Sequence, residues 1–147
     1  TNYAPRAIAR WLDIGVAPHN LAAALRLVTA QRLVRRLCPH CRIEAEAPPA
    51  DLVAEQLGGE APALRASYAA RGCVACDGSG YRGRIGIHQV MPVSRAVCEL
   101  INAGASMHAI TRQARVDGAA SLRAAALARV REGVTSIDEA LAATDGV

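Results

Sequence analysis

Apolar residues recur at helical spacing twice near the start of the chain. Ile8, Trp11 and Leu12 share one helical face behind Pro5, and Gly15 follows them, which predicts a short helix over about residues 5–14. Leu21, Ala24, Leu25 and Val28 repeat the spacing after Pro18 and predict a second helix ending near Thr29. The period then shortens. Residues 31–37 mix Arg with Leu and Val ahead of Pro39, and residues 84–90 set Ile85 and Ile87 opposite Gly86 and His88, so each stretch predicts a strand. Paired antiparallel, the two strands would bring their cysteine-bearing ends together. Between them runs a segment rich in Pro, Glu and Ala, with a short helix expected over 51–57 before Gly58-Gly59. Beyond Pro92 the pattern predicts four helices, at 94–102, 106–116, 121–131 and 136–143. Each opens on a Ser able to cap it, and Gly104, Gly118 and Gly133 mark the gaps. Ser136 and Glu139 also have the spacing of a capping box. The apolar faces Val97/Leu100/Ile101 and Ile137/Ala140/Leu141 suggest a small helical subdomain.

Composition narrows the fold. Hydrophobic residues make up 52% of the chain but aromatics only 3%, with no Phe, so the core must be built from small aliphatic side chains. That favours packed helices over an aromatic-rich sandwich. The 147 residues suit one compact unit. No apolar run is long enough for a transmembrane helix and no signal peptide is visible, which makes a cytoplasmic address the default. The opening Thr1-Asn2-Tyr3-Ala4-Pro5 reads as the middle of something larger. Net charge is +4, and every one of the 17 basic residues is Arg. They are spread along the chain, which suits a solvated surface better than a dedicated polyanion site.

The cysteines carry the clearest chemistry. Cys38-x-x-Cys41 and Cys73-x-x-Cys76 are two knuckles separated by residues 42–72, each able to aim two thiolates at one point. Four soft thiolates select Zn²⁺ at about 2.3 Å, and a shell with no open position argues for a structural ion. Two disulfides are the alternative, disfavoured in a chain without a secretion signal. His40 lies inside the first knuckle and is expected to point outward. Cys98 falls beside a helix's apolar face and suits a small buried hydrophobe better than a reactive thiol. His19, His88 and His108 are isolated and support no triad. Gly78-x-Gly80 is a weak phosphate-loop signal, and no GxxxxGK[ST] occurs, so this chain alone is expected to bind no ATP through a P-loop. The expected fold is therefore an α/β fragment, mostly α-helical, in which a short antiparallel strand pair carries a zinc-binding tetracysteine insertion, followed by a C-terminal helical subdomain.

The run Gln31-Arg-Leu-Val-Arg-Arg-Leu-Cys38, the two knuckles, and Gly80-Tyr-Arg-Gly-Arg-Ile-Gly-Ile-His88 together resemble the C-terminal region of the type II secretion ATPase family (general secretion pathway protein E) and its type IV pilus assembly relatives. The resemblance runs essentially end to end. Thr1-Asn2 with Ala4-Pro5 is similar to the end of that family's histidine box, while Tyr3, Gln89 and Ala125-Ala126 depart from its pattern. The resemblance implies four segments. Residues 1–37 would close the ATPase core, 38–76 form the tetracysteine insertion, 77–92 return to the core, and 93–147 form the helical subdomain. It further implies a homo-hexameric motor, peripheral to the bacterial inner membrane on its cytoplasmic side. That motor would power pseudopilin or pilin assembly through an inner-membrane platform, with ATP and Mg²⁺ bound only by the full-length protein. Thr1, Asn2, Arg82 and Arg84 are the candidates for a nucleotide-proximal or subunit-interface role, set against plain strand-edge solubility for the two arginines.

Two other readings compete. A chaperone-type zinc module shares Cys73-x-x-Cys76-x-Gly78-x-Gly80, but the first knuckle lacks the glycines that such a module repeats. A zinc-dependent nucleic-acid binder would suit the basic balance, yet scattered Arg and few aromatics make poor base platforms, so no nucleic acid is expected.

Overall fold

The computed structural model describes residues 3–46 and 67–145; the candidates Thr1 and Asn2 and the helix expected over 51–57 lie outside them. Over the described residues the fold is mixed α/β, 45% helix. Where length suggested one compact unit, the chain separates into two, one comprising the stretch up to Gln31 with His88–Ser121, the other Arg32–Ile87 with Leu122–Val147. Small aliphatic side chains make up most of the buried residues in both.

Two long strands thread both units. Strand β1 (Leu27–Leu37) pairs with β4 (Tyr81–Pro92). At one end the Val93 amide donates to the Arg26 carbonyl, at the other the Cys38 amide donates to the Gly80 carbonyl, so the pair is antiparallel. Strand β1 begins earlier than the periodicity suggested, because the second helix stops at Ala24. Val28 and Ala30 are buried and Leu27 and Thr29 exposed, an alternation of period two that a helical reading of Val28 had absorbed.

In the first unit, helices α1 (Ala4–Asp13), α2 (Pro18–Ala24), α3 (Arg95–Asn102) and α4 (Met107–Val116) pack in succession, α2 on α3, α3 on α4 and α4 on α1. Ile8, Val97, Ile101 and Ile110 are almost wholly buried. Ser94 and Ser106 cap α3 and α4 as expected, each hydroxyl accepting a first-turn amide. Cys98 is half-buried, its thiol donating to the Ala22 carbonyl. Tyr3 offers α1 no side-chain cap. Instead the buried Gln89, from β4, accepts the Ala4 amide through Oε1 at 2.8 Å. Gln89→Ala would strand that amide and is expected to cost about 1–3 kcal/mol, readable as lost amide protection across the first turn of α1; unchanged protection would count against it.

The second unit holds the rest of β1 and β4, helices α5 (Leu122–Arg131) and α6 (Ile137–Ala143), and a further pair not foreseen from sequence, β2 (Arg42–Ala45) against β3 (Ser67–Ala70). These are antiparallel, with Arg42 opposite Ala70 and Ala45 opposite Ser67. Helices α5 and α6 pack on each other and on β3, burying Leu122, Leu127 and Val130. Ser136 caps α6 by accepting the Glu139 amide, but the Glu139 carboxylate turns to Arg35 on β1, accepting its backbone amide and two guanidinium N–H groups. Arg35 also lies over the Tyr81 ring, 4.2 Å from its centre, and the Tyr81 hydroxyl meets the Ser136 hydroxyl at 2.7 Å.

The Arg35 hydrogen bond holds the Glu139 carboxyl below the usual carboxylate range, against its partial burial. A carboxyl depressed in the fold stabilises fully above its unfolded value, about 4.3, and loses that contribution as pH falls through the folded value. Because the Arg35 side chain is 52% exposed, solvent screens the pair. Glu139→Gln is therefore expected to cost about 1 kcal/mol at pH 7 and less at pH 3, measured by urea unfolding at both. An equal loss at both values would deny the carboxylate its role.

Candidate metal centre

The first knuckle turns because the Cys41 and Arg42 amides both donate to the Cys38 carbonyl, folding the end of β1 back into β2. The second is a 3-10 turn, Val74–Cys76, closed by the Cys76 and Gly78 amides on the Cys73 carbonyl and by the Ser79 hydroxyl on the Cys76 carbonyl. Since β1 and β4 are antiparallel and the Cys38 amide is bonded to Gly80, both knuckles meet at one end of that strand pair.

All four sulfurs lie within 4.8 Å of one another. Cys38 and Cys73 are 3.9 Å apart, Cys41 and Cys76 3.8 Å, Cys73 and Cys76 3.7 Å. A disulfide needs about 2.05 Å, so none joins them. Four thiolates around an ion at about 2.3 Å form a tetrahedron with edges of about 3.8 Å, and three of the six edges are met without any movement. The donor set and its spacing thus fit a metal ion held by Cys38, Cys41, Cys73 and Cys76. Cys38, Cys41 and Cys76 are buried, leaving little room for water as a fifth partner.

Backbone amides prepare the sulfurs for negative charge. Cys76 Sγ accepts the amides of Cys73 and Gly80, each at 3.2 Å, and Cys41 Sγ accepts that of Gly72. Burial alone would push the Cys76 thiol up, but these amides, together with the neighbouring Cys73 and Cys41 side chains, outweigh it and bring it down to about 6. Burial dominates at Cys41 and, with the neighbouring thiols, carries it up to about 12. Cys76 therefore ionises ahead of Cys41, and the charge on the first opposes ionisation of the second unless a cation balances it.

Glycine at 72 is demanded by this geometry. Its φ is +96°, and a Cβ there would stand 2.4 Å from the Gly78 carbonyl oxygen. At Gly80 a Cβ would meet that of Ala70 at 2.5 Å.

This tetracysteine strand end sits within a chain whose similarity to known proteins is nearly end to end. Residues 1–142 match the family described as Type II/IV secretion system protein. The chain belongs to that family. It is 39% identical to the type IV pilus assembly ATPase PilB of Thermus thermophilus over 146 residues, which is 98% of this chain and 16% of that relative. It is 38% identical to the type II secretion system ATPase E of Vibrio cholerae over 144 residues, 98% of this chain and 28% of the relative. Against PilB of Myxococcus xanthus it is 37% identical over 150 residues, covering 26% of that protein. The chain thus spans less than a third of the length of each of these family members.

The remaining candidates scatter. His40 is exposed beside the cluster and contributes no ligand to it, and His19, His88 and His108 are exposed and apart. Arg82 and Arg84 are both exposed on β4. Arg84 acts electrostatically on Glu139, while Arg82 lines a pocket with Arg36 and Arg42. Sequence reading missed the amide donors to sulfur, although Gly72 directly before Cys73 was a signal. No described helix is long and apolar enough to cross a membrane.

Proposed function

We propose that this chain is the C-terminal region of a hexameric ATPase on the cytoplasmic side of a bacterial inner membrane, where it supplies a structural zinc site and contacts between subunits. The tetracysteine cluster, inside a chain related along its length to secretion and pilus-assembly ATPases, carries the reading. Four thiolates with no open position select Zn²⁺ and leave it no catalytic task. Residues 38–76 then form the zinc-holding insertion, 1–37 and 77–92 belong to the ATPase core, and 93–147 form the helical tail. ATP and Mg²⁺ are bound by the full-length protein. The motor drives pilin or pseudopilin assembly through a membrane platform. Arg82 and Arg84, rooted in a strand held by the knuckle, are placed to contact a neighbouring subunit, since a guanidinium anchored at its base loses less freedom on pairing.

In the full-length protein, one zinc per subunit is expected by elemental analysis. Arg82→Ala and Arg84→Ala are expected to lower hexamer-dependent ATP hydrolysis about tenfold with zinc content unchanged. Full activity in both variants would remove the subunit-contact role, and iron in place of zinc would remove the zinc assignment.

A further inference from the structure

Three arginines line one pocket of the second unit. It has a volume of about 360 Å³ and is walled by Arg36, Arg42 and Arg82 with Leu37, Pro39 and Gly133. No carboxylate lines it, and among the described residues neither Arg36 nor Arg82 has an ion pair. Arg42 is held on two sides. Its Nη1 donates to the Gly133 carbonyl at 2.7 Å and its guanidinium lies over the Tyr68 ring, 4.9 Å from the centre. Gly133 permits this closeness, for a Cβ there would sit 2.9 Å from the Tyr68 ring and 3.2 Å from Arg42 Nη1.

We infer that this pocket binds a phosphate-bearing anion. Three like charges around one pocket, with no counter-charge among the described residues, repel one another, and a dianionic group relieves that repulsion better than a single carboxylate. Guanidinium forks match the paired oxygens of a phosphate, and Arg42, already oriented, has little freedom left to lose. The volume lies at the small end of small-ligand pockets, about 300–1,000 Å³, enough for a phosphate and a short ester. Leu37 and Pro39 give the ester an apolar wall. The site goes beyond the subunit contact proposed for Arg82 and Arg84, because it draws in Arg36 and Arg42, to which that proposal assigns no role.

The test uses full-length protein with its nucleotide site saturated by a non-hydrolysable ATP analogue. Titration calorimetry with pyrophosphate is expected to show Arg36→Gln weakening binding about tenfold and the Arg36→Gln/Arg82→Gln pair about 100-fold, with metal content and subunit assembly of Arg36→Gln unchanged. Cosedimentation with phosphatidylglycerol vesicles separates the sources. Capture that pyrophosphate displaces and the double variant lacks assigns the site to a lipid headgroup; pyrophosphate binding without capture assigns it to a soluble phosphate ester. If the double variant binds pyrophosphate as tightly as the parent, or loses only poly-glutamate binding, the phosphate site does not exist.

Discussion

Cys76→Ser is expected to cost the protein its metal. Disturbing only the groups that orient a ligand already costs about 10- to 100-fold in metal affinity, so deleting a thiolate should exceed about 100-fold. Cys76 is the ligand with most to lose, since its sulfur gathers two amides, from Cys73 and Gly80, and its carbonyl accepts the Ser79 hydroxyl. Metal stoichiometry reads the first effect. Hydrogen exchange reads the second, with protection lost across residues 67–80 and retained in α1 to α4, which belong to the other unit. Chelator treatment of the parent should reproduce the same pattern. A variant with full metal content, or a loss spread evenly over the chain, would remove the cluster's role as the local staple.

Gly72→Ala is expected to be nearly as damaging without touching a ligand. The left-handed backbone costs an L-residue about 1–2 kcal/mol, and the new Cβ must also displace the Gly78 carbonyl, 2.4 Å away, in a turn whose amide at 78 closes the knuckle. Gly78→Ala is the matched control: its φ is +75° but nothing lies within 4 Å of its Cβ site, so only the backbone cost applies. Chelator competition should strip metal from the Gly72 variant at least about tenfold faster than from the Gly78 variant. Equal rates would mean that backbone conformation, not the collision, decides the position.

How far these features could be read from sequence follows the distance over which each is encoded. The two knuckles were legible because a CxxC fixes its own geometry within four residues. The serines before α3, α4 and α6 were legible for the same reason, acceptor and amide being three positions apart. The β2–β3 pair was not, since Arg-Ile-Glu-Ala and Ser-Tyr-Ala-Ala are only four residues each, too short for a period to stand out, and find each other only across the intervening chain. Glu139 shows local and distant signals in competition: its spacing from Ser136 reads as a capping box, yet Arg35, 104 positions away, takes the carboxylate. Gln89 holds the first amide of α1, a role set by packing over 85 positions. Arg36, Arg42 and Arg82 looked like scattered surface charge because only the pairing of β1 with β4 and the turn after Cys41 gather them.

Those separations also set a timetable for synthesis. Cys38 must wait for Cys73, 35 positions later, which at about 5–20 residues per second takes about 2 to 7 s. Arg35 waits for Glu139 over 104 positions, about 5 to 20 s, so the metal can be captured before the helix that closes the same unit has been made. An ion bound at that stage would hold the ends of β1 and β4 together on the ribosome, leaving α5 and α6 to dock onto a template already in register.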